Sequence, residues 1–126
     1  MYIMLQNARI MTFVGTRDAA RARSFYRDTL GLTLVEENSF ALVFDANGVM
    51  LRVTNVHELI PARYTVLGWE VPDIASSVRD LAAAGVVFSR FPGMTQDDDG
   101  VWTSPAGARI AWFSDPDGNV LSLTQF

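Results

Sequence analysis

The stretch ALVFDANGVMLRVT, residues 41–54, reads as two strands joined by a tight turn. Apolar runs flank Asp45-Ala46-Asn47-Gly48, and the Asn-Gly pair tolerates the positive φ angles that such a hairpin requires. The stretch AWFSDPDGNVLSLT, residues 111–124, repeats it. Set one over the other, Ala41 matches Ala111, Asp45 matches Asp115, Gly48 matches Gly118, Leu51 matches Leu121 and Thr54 matches Thr124, at a constant offset of 70. Two similar halves of about 60 residues signal an internal duplication. An inward-facing residue in one half therefore has a counterpart in the other.

Outward from the hairpins the same order of elements appears twice. NARIMTFVGT (7–16) is rich in β-formers, and Asp18 caps a helix AARARSFYRDTL with Ala22, Phe25, Tyr26 and Leu30 on one side. Gly31 ends that helix. LTLVEE and the 41–54 hairpin complete a βαβββ module. In the second half YTVLGWEV (64–71) is a strand, Asp73 caps IASSVRDLAAA with Ile74, Val78 and Leu81 at helical spacing, and Gly85 ends it; VVFSRF, ARIAWFS and NVLSLTQ supply three more strands. The expectation is a single α+β domain, 1–126, of two repeated modules at about 8–54 and 64–126 joined by 55–63.

A chain of 126 residues, 49% hydrophobic, is long enough to bury a core. The net charge of −4 and ten scattered basic residues argue against nucleic acid, which needs clustered cations. No run approaches the roughly 20 apolar residues that span a bilayer, and MYIMLQNARIMTF has no basic start followed by an apolar run, so no secretion signal is expected. Cytoplasmic residence is the expectation. Without cysteine, disulfides, thiolate ligands and thiolate nucleophiles are excluded.

FYRDTLGL (25–32) after the first helix and DPDGNVLSL (115–123) entering the last strand resemble the vicinal oxygen chelate superfamily. It groups glyoxalase I, bleomycin-resistance proteins, fosfomycin-resistance transferases and extradiol dioxygenases. The resemblance covers about residues 8–126. It implies the glyoxalase/bleomycin-resistance/dihydroxybiphenyl dioxygenase-like fold, two βαβββ modules whose curved mixed sheets enclose a cavity. It also implies a divalent metal held by His or Glu from the first and last strand of each module. Here those positions fall on Met11, Arg52, Val66 and Ser122, a thioether, a guanidinium, an alkyl group and a hydroxyl. That set does not make a site for a divalent ion, and the fixed cation of Arg52 repels one. No metal and no other cofactor is expected. DPDG reads as turn chemistry, His57 as a surface residue and QDDDG (96–100) as a solvated turn.

Strand alternation names the residues that accompany those positions. Met11 and Phe13 share a face with Arg9; Met50, Arg52 and Thr54 share another; Tyr64, Val66, Gly68 and Glu70 a third; Val120, Ser122 and Thr124 a fourth. The opposite faces, Ile10, Thr12 and Val14, Leu51 and Val53, Leu67, Trp69 and Val71, and Leu121 and Leu123, suit helix packing. An apolar cup with a few polar groups is the composition of a small-molecule pocket. Arg52 either pairs with Glu70 on the inner wall or contacts the anionic group of a ligand. Trp102, on the loop-like stretch DDDGVWTSP, either stacks over a flat ligand or packs, and Phe91 to Met94 shape the same rim. Phe40, Trp112 and Phe113 are expected near or in the core.

Two functions follow. In the first, the chain is a metal-independent binding protein for a drug or metabolite, a homodimer resembling the bleomycin-resistance branch. Its ligand-binding candidates are Met11, Phe13, Arg52, Thr54, Tyr64, Val66, Glu70, Trp102, Ser122 and Thr124. In the second it is a lyase- or isomerase-type enzyme in which Arg52 stabilises developing charge and Glu70 is the general base. Neither involves nucleic acid or a membrane.

Overall fold

The computed structural model describes residues 4–126. Contacts divide the chain into a unit ending at Leu59 and a unit from Ile60 to Phe126.

In the first unit, β1 (Met11–Thr16) runs parallel to β4 (Val49–Asn55), which pairs antiparallel with β3 (Ala41–Ala46), and β3 with β2 (Thr33–Glu37); the order is β1-β4-β3-β2. Helix α1 (Ala19–Arg23) starts where Asp18 leaves the extended region and its side chain accepts from the Arg21 N–H at 3.1 Å. It continues as a π-helical turn over Ser24–Thr29, with Leu30 N–H reaching the Phe25 carbonyl at 2.9 Å. The 3.6 periodicity cannot reveal this widening, because both forms keep Ala22 and Tyr26 under the sheet. Both are fully buried, with Tyr26 5.9 Å from Phe44 between ring centroids and Leu51 and Val53 in the same core. The hairpin closes as expected: Asn47 and Gly48 take φ of 52° and 89°, and Asp45 Oδ1 accepts from Gly48 N–H at 2.8 Å.

In the second unit, β5 (Leu67–Glu70) runs parallel to β8 (Val120–Gln125), followed by β7 (Arg109–Ser114) and β6 (Trp102–Thr103), both antiparallel, in the order β5-β8-β7-β6. Asp73 caps α2 (Ile74–Ala83) through Ser76 N–H at 3.2 Å, and Gln125 Oε1 also accepts from Ile74 N–H at 2.9 Å. Ile74 and Val78 are buried, in a unit whose other buried apolar side chains include Ala111, Phe113, Leu121 and Leu123. Asp115, at the head of DPDG, is buried. Its Oδ1 accepts from Asp117 and Asn119 N–H, each at 2.9 Å, and its Oδ2 from Asn119 Nδ2 at 2.8 Å. That carboxylate is fully engaged in building the turn.

The two sheets and their helices are the expected βαβββ modules, with four local corrections. VVFSRF is not a strand: Phe88 turns onto Phe113, and Ser89 N–H makes a bond to the Trp112 carbonyl at 2.8 Å. Pro92 follows, without a donor to extend a ladder. The Gln96 side chain substitutes for one, its Oε1 accepting from Phe91 N–H and its Nε2 donating to the Ser89 and Gly100 carbonyls, all at 2.9 Å. The edge strand is instead Trp102–Thr103, inside the stretch expected to be a loop. Strand β5 is shorter than YTVLGWEV; Tyr64 lies outside it and is exposed, while Val66 N–H still reaches the Val120 carbonyl at 2.9 Å. Phe40 is 74% exposed rather than in the core, and Ile10, just before β1, is exposed rather than packed under a helix.

Candidate functional site

Each sheet has one face covered by its helix and one open face, and strand pairing fixes which side chains share the open one. In the first unit Met11 is opposite Met50, Phe13 opposite Arg52 and Gly15 opposite Thr54, while Arg52 is also opposite Val43 on β3. The central row of this face is therefore Phe13, Arg52 and Val43. Met11 and Phe13, on the edge strand β1, and Met50, on β4, are 44%, 59% and 40% exposed. Arg52 and Thr54 are half-buried.

One end of this face is closed. A Cβ built at Gly15 would lie 3.1 Å from Leu59 Cδ1 and 3.3 Å from Val56 Cγ2, so the segment after β4 folds back over β1. Glycine at 15 is what lets it approach. The result is an apolar face, bounded at the Gly15 end, with a guanidinium among its side chains.

The open face of the second unit is aromatic and hydroxylic. Its central row is Gly68, Ser122 and Trp112, and the next is Glu70, Thr124, Ile110 and Trp102. Ser122 is buried at 6% exposure because β5 lies close against it: a Cβ at Gly68 would come 3.0 Å from Ser122 Oγ. Phe91 meets Trp112 edge-on, with ring centroids 5.5 Å apart and planes at 90°, and Trp102 lies 6.1 Å from Trp112 at 40°. Trp102 also lines a groove of about 270 Å³ with Thr95, Gln96, Asp97, Val101 and Thr103.

The candidates thus separate into two sets. Met11, Phe13, Arg52 and Thr54 share the first unit's open face; Glu70, Trp102, Ser122 and Thr124 share the second's, with Val66 exposed just ahead of β5 and Tyr64 exposed outside the strand. Trp112, expected near or in the core, stands half-buried on the open face. Its signal was present in the alternation of Ala111 and Phe113, both buried, around it.

Electrostatics on these faces are sparse. Away from these faces the Arg23 guanidinium, hydrogen-bonded to Glu37 at 2.6 Å and 2.9 Å, holds that carboxyl below the usual range, and Arg27 does the same for Asp28. Both pairs are on the surface. Among the described residues no group of three or more His, Asp or Glu side chains is placed to hold a metal ion. At the positions where the sequence resemblance expects ligands stand the Met11 thioether, the Arg52 guanidinium, the Val66 alkyl group and the Ser122 hydroxyl. These do not fit a divalent metal, which takes imidazole, carboxylate or thiolate donors.

Comparison with known proteins agrees with this architecture. Among solved structures, lactoylglutathione lyase from Agrobacterium tumefaciens superposes with a TM-score of 0.71 at 18% identity, covering 94% of this chain and 93% of that one. A glyoxalase family protein from Enterococcus faecalis gives 0.74 at 19%, covering 96% and 99%. A glyoxalase/bleomycin resistance protein/dioxygenase superfamily member from Sphaerobacter thermophilus gives 0.69 at 22%, covering 93% and 97%. Identities this low establish the fold alone. No curated protein matches the chain. The family model of the glyoxalase/bleomycin resistance protein/dioxygenase superfamily matches residues 8–123, nearly the whole sequence, and the chain belongs to that superfamily.

Proposed function

We infer that the protein binds a small organic molecule without a metal, as a homodimer in the cytoplasm. The observation that carries this reading is the first unit's open face. There Met11 and Phe13 on the edge strand β1 and Met50 on β4 expose apolar surface around a guanidinium where the resemblance expects a metal ligand. Solvent-exposed apolar side chains on paired strands leave a hydrophobic surface that an apolar occupant removes from water, at about 25 cal/mol per Å² buried. The aromatic corner of Phe91, Trp102 and Trp112 is a second surface on which a flat molecule stacks. Apolar side chains exposed outside these faces, among them Leu5, Phe40 and Ile60, support self-association. Sedimentation at micromolar concentration checks it: a monomer there removes the homodimer from the reading.

Glu70 does not favour the catalytic alternative. It is exposed at the end of the short edge strand β5, where water competes for its carboxylate. The test is a thermal-shift screen of the full chain in EDTA against cationic, neutral and anionic small molecules, repeated with added Zn, Ni, Fe and Mn. A ligand at about 100 times its Kd adds about 2.7 kcal/mol and raises the midpoint by several degrees. Shifts independent of metal support the reading. Shifts that require metal, or stoichiometric metal that sustains turnover, defeat it.

A further inference from the structure

Arg52 stands apart from the other cations of the chain. All ten cationic side chains are arginines, and three of them, Arg23, Arg52 and Arg109, are half-buried. Arg23 forks onto Glu37, and Arg109 lies 3.8 Å from Asp97 Oδ2. The ion pairs of the first unit, Arg23 with Glu37 and Arg27 with Asp28, leave Arg52 out, and no hydrogen bond joins its guanidinium to a described residue of that unit. It is also the sole cationic residue on the strands of its sheet.

Its surroundings explain the missing partner. Directly across the sheet lie Phe13 and Val43, neither of which accepts a hydrogen bond. The two carboxylates of the same face each accept a hydrogen bond from a neighbour in sequence, and neither forms an ion pair with Arg52. Glu36, beyond Val43, accepts from Asn38 Nδ2 at 2.6 Å, and Asp45, opposite Met50, accepts from Gly48 N–H at 2.8 Å. A half-buried guanidinium with five N–H donors therefore shares the open face with Phe13 and the two methionines and has no hydrogen-bond partner among the described residues of its own sheet.

We propose that Arg52 anchors an organic monoanion, a carboxylate on an apolar body that rests on Met11, Phe13 and Met50. This rests on the binding reading above and names the ligand class. The planar fork matches the two oxygens of a carboxylate, and a charge-assisted pair of that kind is about twice as strong as neutral hydrogen bonds. With no second cation on the sheet, one negative charge is matched and two are not. The closed end formed by Val56 and Leu59 over Gly15 limits how far the body extends along β1.

The test is calorimetric titration of the full chain in EDTA with phenylacetate, indole-3-acetate, 2-naphthoate and octanoate, each compared with its primary amide and matching primary amine. At least one acid binds about 10- to 100-fold more tightly than its amide and amine. Arg52→Gln abolishes that preference, Arg52→Lys keeps part of it, and Phe13→Ala weakens acid and amide by the same factor. Equal binding of acid and amide, a preference that survives Arg52→Gln, or no acid binding at all overturns the proposal. If amides or amines bind alike to the wild type and Arg52→Gln, the anion anchor is lost while small-molecule binding stands. If nothing binds, both fall. Should Arg52→Gln not fold, the acid-to-amide ratio in the wild type and Arg52→Lys decides alone.

Discussion

The contact between Gly68 and Ser122 gives a prediction that can be worked through. A Cβ at position 68 would sit 3.0 Å from Ser122 Oγ, 3.4 Å from the Ser122 carbonyl oxygen and 3.7 Å from Thr65 Cγ2. Gly68 does not take a positive φ, so alanine is allowed by the backbone and gains about 0.4–1 kcal/mol from the restricted unfolded chain. Against that stands overpacking, about 1–3 kcal/mol where a buried group cannot move. Ser122 is 6% exposed in the central row, with Gly68 and Trp112 on either side, so the packing cost prevails and Gly68→Ala loses about 1 kcal/mol. In a Ser122→Ala background the 3.0 Å contact is gone, the others are close to ordinary, and the same substitution becomes neutral or gains about 0.5 kcal/mol. The cycle therefore carries a coupling of about 1–1.5 kcal/mol. Urea unfolding of the four proteins at a shared m-value measures it. A single mutant Gly68→Ala that is more stable than wild type, with no coupling, means that the hydroxyl simply rotates away and refutes the account of why Ser122 is buried.

Asp115→Ala removes a buried carboxylate that accepts three hydrogen bonds, and costs about 3 kcal/mol by urea unfolding while leaving ligand affinity of the folded protein unchanged. Loss of binding without loss of stability would give the DPDG aspartate a functional role instead. Gly48→Ala places a side chain at φ of 89° in the first hairpin and costs about 1–2 kcal/mol by the same measurement. The Glu37 carboxyl titrates below the ordinary glutamate range because of Arg23, first through its hydrogen bond and then through its charge. Its folded pKa is the lower one, so its contribution to stability is present above the unfolded value and lost as pH falls through the folded value. Carboxyl NMR titration of the wild type and Arg23→Gln checks this, the variant returning Glu37 to its usual range.

The parts of the fold that were legible in the sequence were those with local causes. Asp18 and Asp73 cap helices, and Asn47, Gly48 and Gly118 take left-handed angles in turns; those residue types do so for reasons confined to a few neighbouring bonds. The offset of 70 carried the topology from one module to the other. What failed depended on side chains arriving from elsewhere in the chain. VVFSRF has strand propensity, but its ladder is replaced by the Gln96 amide, which no pattern in 86–91 reveals. Phe40 reads as core by composition, yet it sits in the bend where Asn38 Oδ1 accepts from Phe40 and Ala41 N–H at 2.9 and 3.0 Å, and its side chain points outward. For Trp112, expected near or in the core, it is parity that decides the face on which it stands half-buried. The alternation that put Ser122 on the open face put Trp112 beside it.

If the four expected ligand positions are Met11, Arg52, Val66 and Ser122, as the proposed function takes them to be, their side chains bear on chemistry as well as on binding. A divalent metal in such a site polarises an oxygen, lowers the pKa of bound water and offers open coordination positions. A guanidinium offers one positive charge and fixed N–H directions, and it neither ionises water nor gives up a proton near neutral pH. It can hold an anion in one orientation, but forming an enolate also requires a base to take up the proton, and Glu70 is exposed, where water competes for its carboxylate. Substitution of Arg for a metal ligand therefore removes more from turnover than from recognition. In the proposed function, recognition also draws on what the two faces present independently of that position: exposed methionines and Phe13 on one, a tryptophan pair and Phe91 on the other. Such surfaces confer affinity through burial, with selectivity set by the few polar groups among them. On this reading a single charge at Arg52 decides which molecules are retained, while the apolar side chains around it decide how tightly.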